Sequence, residues 1–344
     1  MAVAGILNIP KLPLFSSLPL RKQSKPLSIS IKASNSQTST KEEENPSFSS
    51  SSSSSSTTTT ATTFAPPPNF KPPEPKRFAI RPDKTWDVVG ASLALFFRLG
   101  TGVFVSGYSA SLVSEKEIPP GQYSLELGGS KVKETSKTGP RPEKPIEIYE
   151  FEGPTNFVNT QVREIVAVLD IDVLFYPCPK NGPNFRPKVA QMGGKQQFPY
   201  MVDPNTGVAM YESDDIIKYL VEKYGDGSVP FMLSLGLLTT LTAGFAMIGR
   251  MGRGNSYTPS KLPPKPLEIW SYEGSPFCKI VREVLVELEL PHIQRSCARG
   301  SLKRQILYEK AGHFQVPYLE DPNTGVQMFE SAEIVEYLRA TYAQ

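Results

Sequence analysis

The chain has 344 residues, with 37 Lys and Arg against 34 Asp and Glu and a formal net charge of +3. So even a balance argues against the strongly basic surface that nucleic-acid binding requires. Two histidines (His292, His313) and three cysteines (Cys178, Cys278, Cys297) show no metal-ligand spacing, which argues against a metal site, a His-based triad and a disulfide-stapled secreted scaffold.

From Met1 to Lys41 there is no acidic residue, while Lys11, Arg21, Lys22, Lys25, Lys32 and Lys41 stand among serines, prolines and leucines. This is the composition of a cationic, hydroxyl-rich transit peptide, and Ile31-Lys32-Ala33-Ser34 resembles the site at which plastid leaders are cut. Residues 1–33 are therefore expected to be a chloroplast transit peptide. Residues 34–84, with unbroken serine from Ser49 to Ser56 and a Pro-rich end, are expected to be a disordered spacer too polar to offset its ordering entropy.

Apolar helices are expected at 85–113 and 226–252, each followed by a linker, at 114–144 and 253–265. Ser92–Gly107 aligns with Ser234–Gly249 without a gap, which makes the helices part of a repeat. The second stretch has no charge between Asp226 and Arg250 and is long enough to cross a bilayer. The first carries Arg98, costly at mid-membrane. Pro230, the glycines and the threonines of the second stretch suit helices that pack on each other instead, so both arrangements stay open.

Two α/β units follow, at 145–225 and 266–344. Lys144–Gly153 returns as Lys265–Gly274, and Phe198–Ser213 returns as Val316–Ser331. Each copy reads β-α-β-α-β-β-α. Ile280, Val281, Val284, Leu285 and Leu288 share one helical face, and Asp321-Pro322-Asn323-Thr324-Gly325 turns a hairpin. The fold class is α/β: two tandem thioredoxin-like units, each preceded by an apolar helix. A pseudo-symmetric pairing of the two units is expected.

The Ser275-Pro276-Phe277-Cys278 loop, Val316-Pro317 before the third strand and Glu330-Ser331 after the fourth resemble the amino-terminal domain of glutathione S-transferases and their glutaredoxin relatives. The whole is similar to plant chloroplast proteins with two such domains in tandem. The resemblance implies a cis peptide before Pro317, with the backbone of Val316 binding the cysteinyl part of glutathione. It also implies that Glu330 and Ser331 receive the γ-glutamyl end, at a helix N-terminus that favours a carboxylate. Phe198, Pro199, Glu212 and Ser213 hold the same positions in the first, degenerate copy. The family's first loop cysteine is Ser275 here. Chemistry in the second copy then rests on Ser275 holding a glutathione thiolate, or on Cys278 reacting by a one-thiol route. Ser275-Pro276 is equally a helix start, and Cys278 equally a small core residue. Asn159 replaces Cys278 in the first copy. Cys297, near the same loop, is a possible regulatory thiol, and Arg299 either meets an anionic ligand or is a solvated loop charge.

The resulting expectation is a plastid, glutathione-binding protein, either a transferase or a thiol oxidoreductase, with glutathione as its partner. The other reading is a non-catalytic interaction scaffold associated with a thylakoid or envelope membrane and an unknown protein partner.

Overall fold

A computed structural model describes residues 64–76, 79–152, 157–250 and 252–344, which fall in one compact unit. The leader at 1–33 and spacer residues 34–63 lie outside the described residues. Copy one runs β4 (Ile146–Glu150), α2 (Phe157–Val168), β5 (Val173–Pro177), α3 (Phe185–Gly193), β6 (Tyr200–Asp203), β7 (Val208–Tyr211) and α4 (Ser213–Tyr224). Copy two repeats this as β8 (Leu267–Ser271), α6 (Pro276–Glu287), β9 (His292–Ser296), α7 (Lys303–Ala311), β10 (Tyr318–Glu320), β11 (Gln327–Met328) and α8 (Ser331–Tyr342). The expected β-α-β-α-β-β-α order is present in both. Each core lies between sheet and helices: Ile148, Ile165 and Leu220 are buried in the first, Ile269, Leu285 and Leu338 in the second.

The same turn chemistry closes each unit. Asp321 Oδ2 accepts from the hydroxyls of Tyr337 (2.6 Å) and Tyr342 (2.7 Å), and Asp203 Oδ2 accepts from Tyr219 and Tyr224 (both 2.6 Å). Asn323 and Asn205 pin the chain entering β8 and β4 through Lys265 and Lys144. The Asp-Pro-Asn-Thr-Gly repeat is thus kept by structure, tying hairpin, last helix and first strand together.

The units are joined edge to edge. β5 pairs antiparallel with β9, making one eight-stranded sheet in the order β11-β10-β8-β9-β5-β4-β6-β7. Leu174 faces Ile293, its own counterpart in the repeat, so a pseudo-twofold axis passes through that pair. Joining two edges this way also removes two exposed edge strands.

The flanking segments depart from expectation. The helix expected at 85–113 is α1 (Thr85–Phe97). It stops because Leu99 (φ 49°), Gly100 (φ 75°) and Gly102 (φ 80°) are left-handed, and Ser109–Val113 is strand β1. The linker at 114–144 contains β2 (Leu125–Leu127) and β3 (Ser130–Thr135), which complete a three-stranded sheet with β1. The helix expected at 226–252 is α5 (Leu237–Met247), preceded by a 3-10 turn and by Gly236 at φ 58°. In the linker at 253–265, Ser260 bridges to Ala343. Within the expected spacer, Phe64 packs on Tyr342 and Phe70 on Tyr337, with ring centres 5.2 and 5.0 Å apart. Two aromatic anchors there supply burial that the Ser/Thr run lacks.

No helix among the described residues is long and apolar enough to cross a membrane. α1 packs closely on the 3-10 turn Ile248–Arg250 that follows α5, where Gly90 meets Gly249. Arg98 and Arg250 occupy matching places, which changes the repeat register from the gapless alignment to one pairing Arg98-Leu-Gly-Thr-Gly102 with Arg250-Met-Gly-Arg-Gly254. In that register Arg98 donates to the Thr239 carbonyl (3.1 Å) and Arg250 to that of Asp87 (3.0 Å), a second symmetric pair.

Candidate functional site

β8 delivers the chain into the Tyr272–Ser275 loop. Ser275 Oγ caps α6 by accepting the Cys278 N–H at 3.3 Å, with Pro276 at the first helical position. The peptide bonds Val316–Pro317 and Phe198–Pro199 are cis. Glu330 (φ 72°) and Glu212 (φ 66°) both precede a helix in the left-handed region, with Ser331 and Ser213 opening α8 and α4. Each of these pieces thus has the local form the resemblance implies: a capped helix start at Ser275, a cis peptide before Pro317 and a helix opened by Ser331.

The chain's own segments occupy much of that surroundings in copy two. The backbone N–H of Lys76 donates to Glu330 Oε1 at 2.6 Å, and Gln315 donates to the same oxygen at 2.9 Å. Val103 packs so tightly on Gly274 that a Cβ there would fall 2.2 Å from its Cγ2. Val103 and Val105 also bond the Arg299 backbone, at 2.7 and 2.8 Å. Arg299 itself is held by Glu134 at 2.9 Å. Val316 is half-buried and packs in the cluster around Trp270, Cys297 and Phe329.

All three thiols are free and buried. Cys278 is 2% exposed, and burial pushes its pKa up to about 11, with the Ser275 hydroxyl opposing only in part. Burial likewise raises Cys297 and Cys178. Such thiols have almost no thiolate at neutral pH. Cys297 and Cys178 lie in loops braced by a matching arginine: Arg304 donates to the Cys297 and Ala298 carbonyls, Arg186 to those of Cys178 and Pro179.

In copy one the loop at 153–156 lies outside the described residues. Asn159, in the place of Cys278, donates to the Phe151 carbonyl at 2.6 Å. Phe198 is buried edge-on to Phe151 with Arg186 over its ring, Glu212 is exposed and accepts from Gln197, and Ser213 is buried.

The charged groups that the sequence reading passed over lie at the junction of the units. Arg98 grips Glu164 bidentately (2.7 and 2.6 Å), and Arg250 grips Glu283 in the matching place. Between them Glu152 of copy one accepts from Arg282 (2.7 Å) and Lys279 (3.4 Å) of copy two and pairs with Arg163, while Arg282 reaches Glu273 (3.0 Å). All are almost completely buried. Burial raises Glu164 and Glu150 to about 7 against the pull of their arginines. Glu152 is also penalised by burial, but Lys279, Arg163 and Arg282 outweigh this and hold it well below the usual carboxylate range. The sequence signal was available in Arg163-Glu164, which returns as Arg282-Glu283, and in the two Arg-x-Gly-x-Gly runs. Among the described residues no cluster of His, Cys, Asp or Glu is arranged to hold a metal ion.

Comparison with curated proteins and with solved structures returned no match. The family model of the glutathione S-transferase N-terminal domain matches residues 156–228 and again residues 270–344, so the chain carries two thioredoxin-like domains of this type in tandem, a fold that suggests glutathione binding.

Proposed function

We propose that the protein is a non-catalytic interaction module of the plastid, in which two transferase-type domains form one rigid body. The observation that carries this reading is the Lys76 N–H on Glu330: the carboxylate that the resemblance assigns to the γ-glutamyl group already has a partner within the chain. The buried Cys278 and the packing of Val103 on Gly274 support it. The acid-free leader supports a plastid destination. Calorimetric titration of the full chain with millimolar reduced glutathione, beside a thiol–disulfide exchange assay, tests it. We expect no saturable heat and no turnover; turnover that disappears in C278S or S275A overturns it.

A second reading, glutathione binding without chemistry, is favoured by the two family matches and by the retained cis-prolines and Glu-Ser pairs. It is distinguished by saturable heat without turnover, weakened in E330Q or E212Q.

A further inference from the structure

We propose that the outer face of α1 and α5 is a membrane-contact surface that lays the protein flat on an anionic bilayer. On α1, Trp86, Val89, Leu93 and Phe96 follow the spacing i, i+3, i+7, i+10, with Leu93 half-buried against Gly249, and Leu238, Leu241 and Phe245 of α5 with Ile248 of the 3-10 turn that follows keep the same spacing. In the Arg98–Arg250 register these are matching positions, so one apolar stripe is copied across the pseudo-twofold. Trp86 is 85% exposed, Phe96 73% and Leu99 76%. The opposite faces do the structural work: Val88 and Ala91 pack on the α6 side, and Ala243, Ala246 and Met247 are buried. Isolated exposed apolar residues are common, but a continuous two-helix stripe marks a contact surface.

Three observations select a lipid surface as the occupant. The first is charge. No acidic residue occurs between Asp87 and Glu115 or between Asp226 and Glu268, and beyond the buried Arg250 the second interval carries the cations Arg253, Lys261 and Lys265. Arg253 stands half-exposed at the end of the stripe, where it pairs with Asp87 at 3.2 Å and keeps its remaining donors toward solvent. This complements anionic headgroups. The second is length. At 13 and 11 residues the helices extend about 20 and 16 Å, short of the ~30 Å hydrocarbon core but suited to lying in its boundary. The third is a cavity of about 480 Å³ at the end of the stripe, lined by Phe96, Phe97, Leu99, Phe231, Met232 and Leu238, apolar enough to take the end of an acyl chain.

This inference goes beyond the interaction-module reading and does not depend on the glutathione result. The experiment is flotation of the full chain with vesicles of phosphatidylcholine alone or mixed with phosphatidylglycerol. Emission is followed in parallel, because Trp86 is exposed while the other tryptophan, Trp270, is buried. We expect flotation with the anionic vesicles, about tenfold weaker in high salt, and a blue shift absent in W86F. F96D/I248E alters two exposed positions, so its circular dichroism and urea midpoint should match the parent while its binding falls about tenfold or more. Equal flotation of F96D/I248E, or none by the parent, overturns the proposal. So does a parent dimer in vesicle-free buffer that F96D/I248E dissolves, since the face would then belong to a second copy.

Discussion

The crossing of α1 over α5 gives a prediction whose sign is the test. In most helix interiors Gly→Ala stabilises by up to ~1 kcal/mol, because alanine loses less backbone freedom on folding. At Gly90 the added Cβ would fall 2.5 Å from the Gly249 carbonyl oxygen and 3.3 Å from its carbon. Ordinary contact begins at 3.4 Å, so the backbones must separate by about 0.9 Å. A backbone oxygen cannot rotate aside as a side chain would. Separation also disturbs Arg250, whose bonds to Asp87 and Glu283 lie directly beside the crossing. Overpacking of this kind costs about 1–3 kcal/mol. Against the propensity gain, G90A should lose about 1–2 kcal/mol, or roughly 2–8 °C in melting temperature for a body of this size. G90L should lose more. Urea unfolding followed by circular dichroism reads the difference. A G90A protein as stable as the parent or more so would refute the close crossing.

R98M should cost about 3–5 kcal/mol by leaving Glu164 buried without its partner, whereas R98M/E164L should recover most of that loss in a double-mutant cycle read by urea midpoints. Glu164, raised to about 7 from 4.5, binds a proton more readily folded than unfolded. Its contribution is therefore full below pH 4.5 and is lost as pH rises through 7, by up to about 3 kcal/mol, and E164Q should flatten the stability curve across that window. Removing Asp321 leaves the buried Tyr342 hydroxyl without its acceptor while Tyr337 keeps Thr324, so D321A should destabilise by about 1–3 kcal/mol, measured by thermal melting. Native protein at neutral pH should react with a thiol reagent only on unfolding, since Cys178, Cys278 and Cys297 are all buried; a prompt single-thiol reaction would contradict the placement of Cys278.

What could be read from the chain was whatever had a local period or a local turn. The stripe Ile280, Val281, Val284, Leu285, Leu288 fixes α6 in any thioredoxin-like context, and Asp-Pro-Asn-Thr-Gly fixes the hairpin because each residue suits its dihedral. The cis-proline corners followed from the resemblance alone. The misread parts depended on partners far along the sequence. Arg98 reads as a cost inside an apolar run until Glu164 is found 66 residues away. Residues 114–144 have weak alternation and pair only within their own small sheet. The apolar runs read as long helices because hydropathy carries no account of φ, whereas Leu99, Gly100 and Gly236 end or delay them.

The junction between the copies rests on a carboxylate that one copy supplies and the other holds. Glu152, at the end of β4, is bonded by Arg282 and Lys279 from the other copy, and its charge is held by them rather than by solvent. Separating the copies would leave that carboxylate facing water on one side and strand Arg282 and Lys279 on the other, which sets a cost on parting them. In a body locked this way a cleft need not open for each copy. Asn159 bonds the Phe151 carbonyl where copy two has a thiol, and the Lys76 N–H sits on Glu330. Among the described residues the pairing also duplicates the apolar stripe of α1 and α5 and leaves much of it exposed, with Trp86 at 85% and Phe96 at 73%.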